Sequence, residues 1–183
     1  MQTLAEQSHS FSELQETLVK SACELFGSHG LPVEHSPGAA NAQIEETAFM
    51  AVVGVAAPAV RGSLLLLAAR DVVAALQPAE VRRPAPTNSF LCDILGEYCN
   101  MLISRVKNRL ATPEMTPLLS TPTTIFGEHL ALPAPTSGMS AWHRFTSSSR
   151  SIYIRLDLSF ELEFSLPTDD SAHSVSEGEM VMF

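Results

Sequence analysis

IYIRLDLSFELEF, residues 152–164, alternates without a break. Ile152, Ile154, Leu156, Leu158, Phe160, Leu162 and Phe164 are apolar, while Tyr153, Arg155, Asp157, Ser159, Glu161 and Glu163 between them are polar or amphipathic. Side chains on a strand point alternately to its two faces, so this period predicts one face on a core and one in water, as in an antiparallel sheet. AWHRF (141–145) is the expected partner strand, joined across the turn-forming TSSSRS (146–151).

Two earlier segments, AFMAVVGV (48–55) and GSLLLLAA (62–69), are rich in small and aliphatic residues and separated by a Pro58-containing break. Their length and that break predict a hairpin of two buried strands. RDVVAALQ (70–77) reads as a short helix closed by Pro78, and 79–86 as a linker. Near the start, Phe11, Leu14, Leu18, Ala22, Leu25 and Phe26 recur at helical spacing. That helix is expected to begin at Ser10 or Ser12 and to end at Gly27 or Gly30, with a loop carrying Pro32 and Pro37 across 27–44. The longest predicted helix spans 89–111, with Thr87, Asn88 or Ser89 as N-cap and Pro113 beyond its end. After it come LLSTPTTIFGEHL (118–130) and a Pro/Thr/Ser/Gly loop (133–139). The order predicts an α+β fold, with two long helices and a short one packed on a largely antiparallel β-sheet. Residues 1–9 read as a flexible N-terminus and 167–183 as a disordered acidic tail. Neither a parallel βαβ alternation nor a Gly-rich phosphate loop is visible, which argues against a nucleotide-binding fold.

Composition narrows the function. A length of 183 residues suits one domain, and 45% apolar with 17% charged residues suits a globular one. A net charge of −9 would repel nucleic acid, and the densest basic group, Arg105, Lys107 and Arg109, is interleaved with other residues. The longest apolar run (48–60) contains Pro58 and falls short of the roughly 20 residues of a membrane span. The N-terminus lacks the basic-then-apolar order of a secretion signal, so the expected location is the cytoplasm. Cys23, Cys92 and Cys99 form no CxxC pair and read as reduced, partly buried thiols, with no metal site expected. The six histidines, at 9, 29, 35, 129, 143 and 173, show no ligand spacing and read as surface or loop residues.

The helix at 89–111 has two different sides. At about 100° per residue, Leu91, Ile94, Leu95, Tyr98, Met101, Leu102 and Val106 fall in one arc, and Asp93, Glu97, Asn100, Ser104 and Lys107 fall opposite. Glu97 and Asn100, three apart, are neighbours on that surface. Gly96 lies on the same side; a mid-helix glycine costs about 1 kcal/mol relative to Ala, and here bare backbone would let another surface approach the acid and the amide. Most polar rows of this kind are only a solvated face. Ser12 and Glu16 on the first helix repeat half the pattern, with Val19 where the amide would stand.

The row Asp93-x3-Glu97-x2-Asn100 resembles the signature of the CheC/CheX/FliY chemotaxis phosphatase family, in which a proline follows about twenty-two residues later. Here residues 101–121 separate Asn100 from Pro122, one residue fewer than that spacing. PTTIFGEH (122–129) looks like the strand that follows this helix in CheX, and the strand-rich 48–69 and the hairpin 141–164 keep the family's order. One complete motif rather than two points to the CheX-like branch, with residues 10–166 as the CheX-like domain.

The resemblance implies a CheC-like fold and a phosphatase acting on the phospho-aspartate of a CheY-like response regulator. Asn100 would orient the attacking water and Glu97 would dock on the regulator's active-site lysine. Asp93 would orient Glu97 or contact the partner, and Gly96 would contact the partner. It implies no cofactor on this chain, Mg²⁺ on the regulator, and a homodimer joined through sheet edges. The alternative is a non-catalytic CheX-like adaptor or dimerisation module that binds a regulator. An independent hydrolase is disfavoured, because the sequence offers neither a nucleophile elbow nor a Ser/His/Asp arrangement.

Overall fold

The computed structural model describes residues 4–37, 43–78, 82–112, 115–131, 139–148, 150–161 and 166. The loop expected at 133–139 lies outside these residues except for Met139, and the acidic tail lies outside them entirely. Among the described residues, three helices, α1 (Leu4–Ser28), α2 (Arg70–Ala75) and α3 (Asn88–Leu110), accompany nine strands. The strands are β1 (Glu34–Pro37), β2 (Gln43–Ile44), β3 (Ala48–Ala57), β4 (Val60–Ala69), β5 (Leu118–Leu119), β6 (Thr123–Gly127), β7 (Leu130–Ala131), β8 (Met139–Ser147) and β9 (Arg150–Phe160).

The main sheet runs β1-β8-β9-β4-β3, and the outer edge of β3 is shared by β6 and β5. Every pairing in it is antiparallel. β2 and β7 form a separate two-stranded pair. The expected α+β architecture is therefore the observed one. Residues 152–160 of the alternating segment lie in β9, between β8 and β4, with Ile152, Ile154, Leu156 and Leu158 at 2% exposure or less, while 162–164 lie outside the described residues. Opposite them on β4, Leu64, Leu66 and Ala68 are fully buried, and Ala51 and Val53 of β3 complete the layer beneath the helices.

α3 lies across β3 and β6, with α1 antiparallel beside it over β8, β9 and β1. Phe26 of α1 stacks on Tyr98 of α3 at 6.0 Å and meets Phe145 of β8 edge-on at 6.1 Å, tying both helices to the sheet. Arg109–Glu13 at 3.1 Å and Arg105–Glu24 at 3.7 Å link the helices at the surface, where such pairs contribute little. None of the helices, over the described residues, is long and apolar enough to cross a membrane.

Several local expectations need correction. α1 begins at Leu4 rather than near Ser10, because Gln7 is buried and its Nε2 donates to the Glu161 carbonyl at 3.1 Å. Of the two glycines expected to end this helix, Gly30 is the one that does: at φ 78° it lets Leu31 N bond Phe26 O at 2.9 Å while Gly30 N bonds Gly27 O. The segment read as a loop at 27–44 contains β1 and β2, strands too short for a periodic signal. The second face of β9 is not simply in water. Arg155 is 5% exposed, pairs with Asp157 at 2.7 Å and lies over the Trp142 ring. Gly62 of β4 is required by backbone proximity, since a Cβ there would meet the Asp157 carbonyl oxygen of β9 at 2.0 Å.

The histidines at 35 and 143 are also not loop residues. His143 is buried on β8, and its Nδ1 shares a 3.0 Å hydrogen bond with Nε2 of His35 on β1. The other nitrogen of His143 is buried without a partner among the described residues. Burial, then the His35 charge, pushes the His143 pKa down from 6.5 to about 4, and burial lowers that of His35. Folding keeps these rings neutral, so the unfolded chain binds the proton first as pH falls. Stability is therefore full above about pH 6.5 and declines as pH drops toward 4. Urea unfolding across this range is expected to show a shallower acid slope in His143→Phe, by up to one proton or about 1.4 kcal/mol per pH unit. Identical slopes would contradict the pairing.

Candidate functional site

Thr87 caps α3: its Oγ1 accepts from Phe90 N at 3.3 Å. From there the helix is fixed on three sides. Cys99, fully buried, lies with Sγ 3.6 Å from the Leu64 carbonyl and 3.7 Å from that of Ala51. Burial pushes its pKa up to about 12, so it is an inert thiol rather than a nucleophile. Tyr98 lies on Phe26, and its hydroxyl donates to the Leu76 carbonyl at 3.0 Å. On the third side Gly96 faces the chain that enters β6: a Cβ there would stand 3.2 Å from Thr124 Cγ2 and 3.4 Å from Pro122 Cβ.

The fourth side is open. Asp93 and Glu97 are exposed and Asn100 is half-buried. Ser104 Oγ donates to the main-chain oxygen of Asn100 at 2.7 Å, which leaves the carboxamide uncommitted. The three side chains Asp93, Glu97 and Asn100 have no hydrogen bond or ion pair with any described residue. The structure thus brings these three sequence-selected residues together as one outward row. Asn100 can donate and accept simultaneously, and Glu97 can take a cation.

Gly96 departs from expectation. It is buried, not bare to solvent, and the surface that comes close is the chain's own Pro122–Thr124 segment. That proximity places a wall of β6 along one flank of the row, a feature the helix sequence alone did not reveal. Phe126, half-exposed on the same strand and stacked on Phe49 at 5.8 Å, was also not singled out from the sequence. Its signal was an aromatic residue inside PTTIFGEH. On α1, Ser12 and Glu16 are exposed, with Val19 half-buried at the amide position.

Among the described residues no three His, Cys, Asp or Glu side chains converge to hold a metal. An open cleft of about 610 Å³ between β9 and α2, lined by Glu46, Asp71, Arg150 and Tyr153 among others, does not include the row.

The helices on one face of an antiparallel sheet, with this row on α3, define an α+β protein of the CheC-like fold. Chemotaxis protein CheX from Vibrio vulnificus matches with TM-score 0.67 and 19% identity, over 80% of this chain and 97% of that one. A chemotactic CheC-like protein from Shewanella oneidensis matches with TM-score 0.65 and 20% identity, over 82% and 97%. The CheX-CheY-BeF3-Mg complex from Borrelia burgdorferi matches with TM-score 0.64 and 15% identity, over 79% and 97%. No protein-family model matches the chain, and no curated protein matches it by sequence.

Stability measurements separate the open side from the closed one. Glu97→Ala and Asn100→Ala are each expected to change unfolding free energy by less than about 0.5 kcal/mol. Gly96→Leu should cost roughly 1–3 kcal/mol, because the side chain must displace Pro122 and Thr124. A neutral Gly96→Leu in urea titration would mean that the wall is not there.

Proposed function

We propose that this chain is a protein aspartyl-phosphate phosphatase acting in the cytoplasm on a CheY-like response regulator in chemotaxis or a related two-component pathway. The observation that carries the proposal is the outward, uncommitted pair Glu97 and Asn100 on a fold shared with a CheX protein solved together with CheY, a beryllium fluoride and magnesium. Beryllofluoride stands in for a phosphoryl group on a carboxylate.

A phospho-aspartate is an acyl phosphate. Its hydrolysis joins a water oxygen to phosphorus, breaks the bond from phosphorus to the aspartyl oxygen, and yields the aspartate carboxylate and inorganic phosphate. Phosphoryl transfer is mostly a matter of positioning and charge stabilisation. The regulator supplies the carboxyl leaving group, a lysine and Mg²⁺ at the phosphoryl group. The phosphatase needs only to hold water in line. Asn100 takes that role: its carboxamide oxygen accepts a hydrogen bond from the water while its NH₂ donates toward the phosphoryl side. Glu97, beside it on the helix, pairs with the regulator's lysine and sets the register through a charge-assisted bond. Asp93 contacts the partner farther along the row, and Gly96 acts indirectly by admitting the β6 wall. An exposed ridge suits this chemistry because the partner completes the site.

A homodimer joined through a sheet edge belongs to the same proposal. The sheet has two such edges, β1 on one side and β5 with β6 on the other.

The test is decay of an acetyl-phosphate-labelled receiver domain with Mg²⁺. The wild-type chain is expected to accelerate phosphate release, and Asn100→Ala to lose about a hundredfold or more of that acceleration. Equal acceleration by both proteins would remove Asn100 from the mechanism. Binding without acceleration by either would favour the adaptor reading.

A further inference from the structure

β6 runs antiparallel to β3, and Thr124 and Phe126 share the helix-facing side of the sheet with Ala51 and Phe49. Ile125, between them, points to the opposite face. α3 runs the other way along β6. Its first residue, Asn88, is bonded by Arg70, which directly follows Ala69; Ala69 pairs with Ala48, and Ala48 with Gly127. The contact of Gly96 with Pro122 and Thr124 fixes the alignment. Two rows therefore run side by side: Asn100, Glu97 and Asp93 on the helix, and Pro122, Thr124 and Phe126 on the strand. Helical steps of four residues and strand steps of two both advance about 6 Å, so the rows keep pace.

The phosphatase reading, on which this inference rests, needs a footprint larger than three side chains. Specific interfaces cover about 800 Å² on each partner, and their affinity concentrates in a few aromatic or arginine anchors. The flank toward α1 is already occupied by the Arg105–Glu24 pair. The flank toward β6 offers Phe126, 50% exposed and held flat by Phe49. We propose that Phe126 is the apolar anchor of the docking surface, seating the receiver domain beside the Asp93–Glu97–Asn100 row and setting its affinity rather than the rate of the bound complex. The ring meets an apolar patch next to the receiver's phosphorylation site. Thr124 and Pro122 bridge the anchor to the reacting end.

The experiment compares full-length wild type with Phe126→Ala, Phe126→Tyr and Asn100→Ala on the acetyl-phosphate-labelled receiver, with binding to the beryllofluoride-loaded receiver and solution mass measured in parallel. Phe126→Ala is expected to raise KM and Kd about tenfold or more, with kcat within about twofold of wild type. Phe126→Tyr keeps the ring and should restore affinity, while Asn100→Ala should lower kcat with little effect on Kd. An active wild type with unchanged KM and Kd in Phe126→Ala overturns the anchor alone. A change in oligomeric mass in Phe126→Ala also overturns it, because the ring then belongs to a second copy on the β6 edge. A wild type that neither binds nor dephosphorylates the receiver overturns the phosphatase reading and the anchor with it. If Phe126→Ala does not fold, Phe126→Leu, which keeps apolar bulk without the ring, is expected to show an intermediate loss; wild-type affinity in that variant would overturn the anchor.

Discussion

The rotation of α3 about its own axis is the constraint on which the site depends. Three contacts at different angles fix it: Cys99 against the carbonyls of β3 and β4, Tyr98 against Phe26 and Leu76, and Gly96 against Pro122 and Thr124. A helix places successive residues about 100° apart, so locking residues 96, 98 and 99 inward leaves one open sector, and Asp93, Glu97 and Asn100 fall in it. A turn of the helix by one residue, putting Asn100 where Cys99 stands, would bury the amide against β3 and β4. The glycine is what permits the third contact. A large side chain there would have to displace Pro122 and Thr124.

A site of this kind is incomplete by construction. It has no converging metal ligands among the described residues and no activated nucleophile in the row. What it has is geometry: an acid and an amide held at fixed spacing on a rigid, well-packed element. Sites on helices and strands hold their side chains more closely than sites on loops. Such a ridge suits a substrate that is itself a folded protein carrying a metal and a cation, because each partner then contributes what the other lacks. The edge strand β6 extends the ridge with apolar surface, which a helix face made only of acids and amides cannot provide.

Much of this was legible in the sequence because long elements carry long patterns. The alternation in 152–164 located β9, the paired apolar runs located β3 and β4, and the two-sided periodicity of 89–111 located α3 within a residue at each end. The acid/amide row was read from the same periodicity. What was missed depends on contacts distant in sequence. The start of α1 is held by a carbonyl beyond β9, β1 and β2 are too short to show a period, and Arg155 is hidden by an ion pair and an indole that only the sheet brings together. Histidine was read as exposed by default, yet His143 is buried because a second histidine from β1 meets it. Gly96 was read as bare backbone on the polar side, whereas it is buried against Pro122 and Thr124. The helical wheel shows that a side is bare, and only the register of β6 shows what covers it.

The most direct measurement is the structure of this chain bound to a beryllofluoride- and Mg²⁺-loaded receiver domain. The account predicts a water in line with the bond from beryllium to the aspartyl oxygen, within about 2.7–3.2 Å of the Asn100 carboxamide, and the Glu97 carboxylate on the receiver's lysine. A complex in which the receiver sits on another face, leaving Glu97 and Asn100 in solvent, would contradict it.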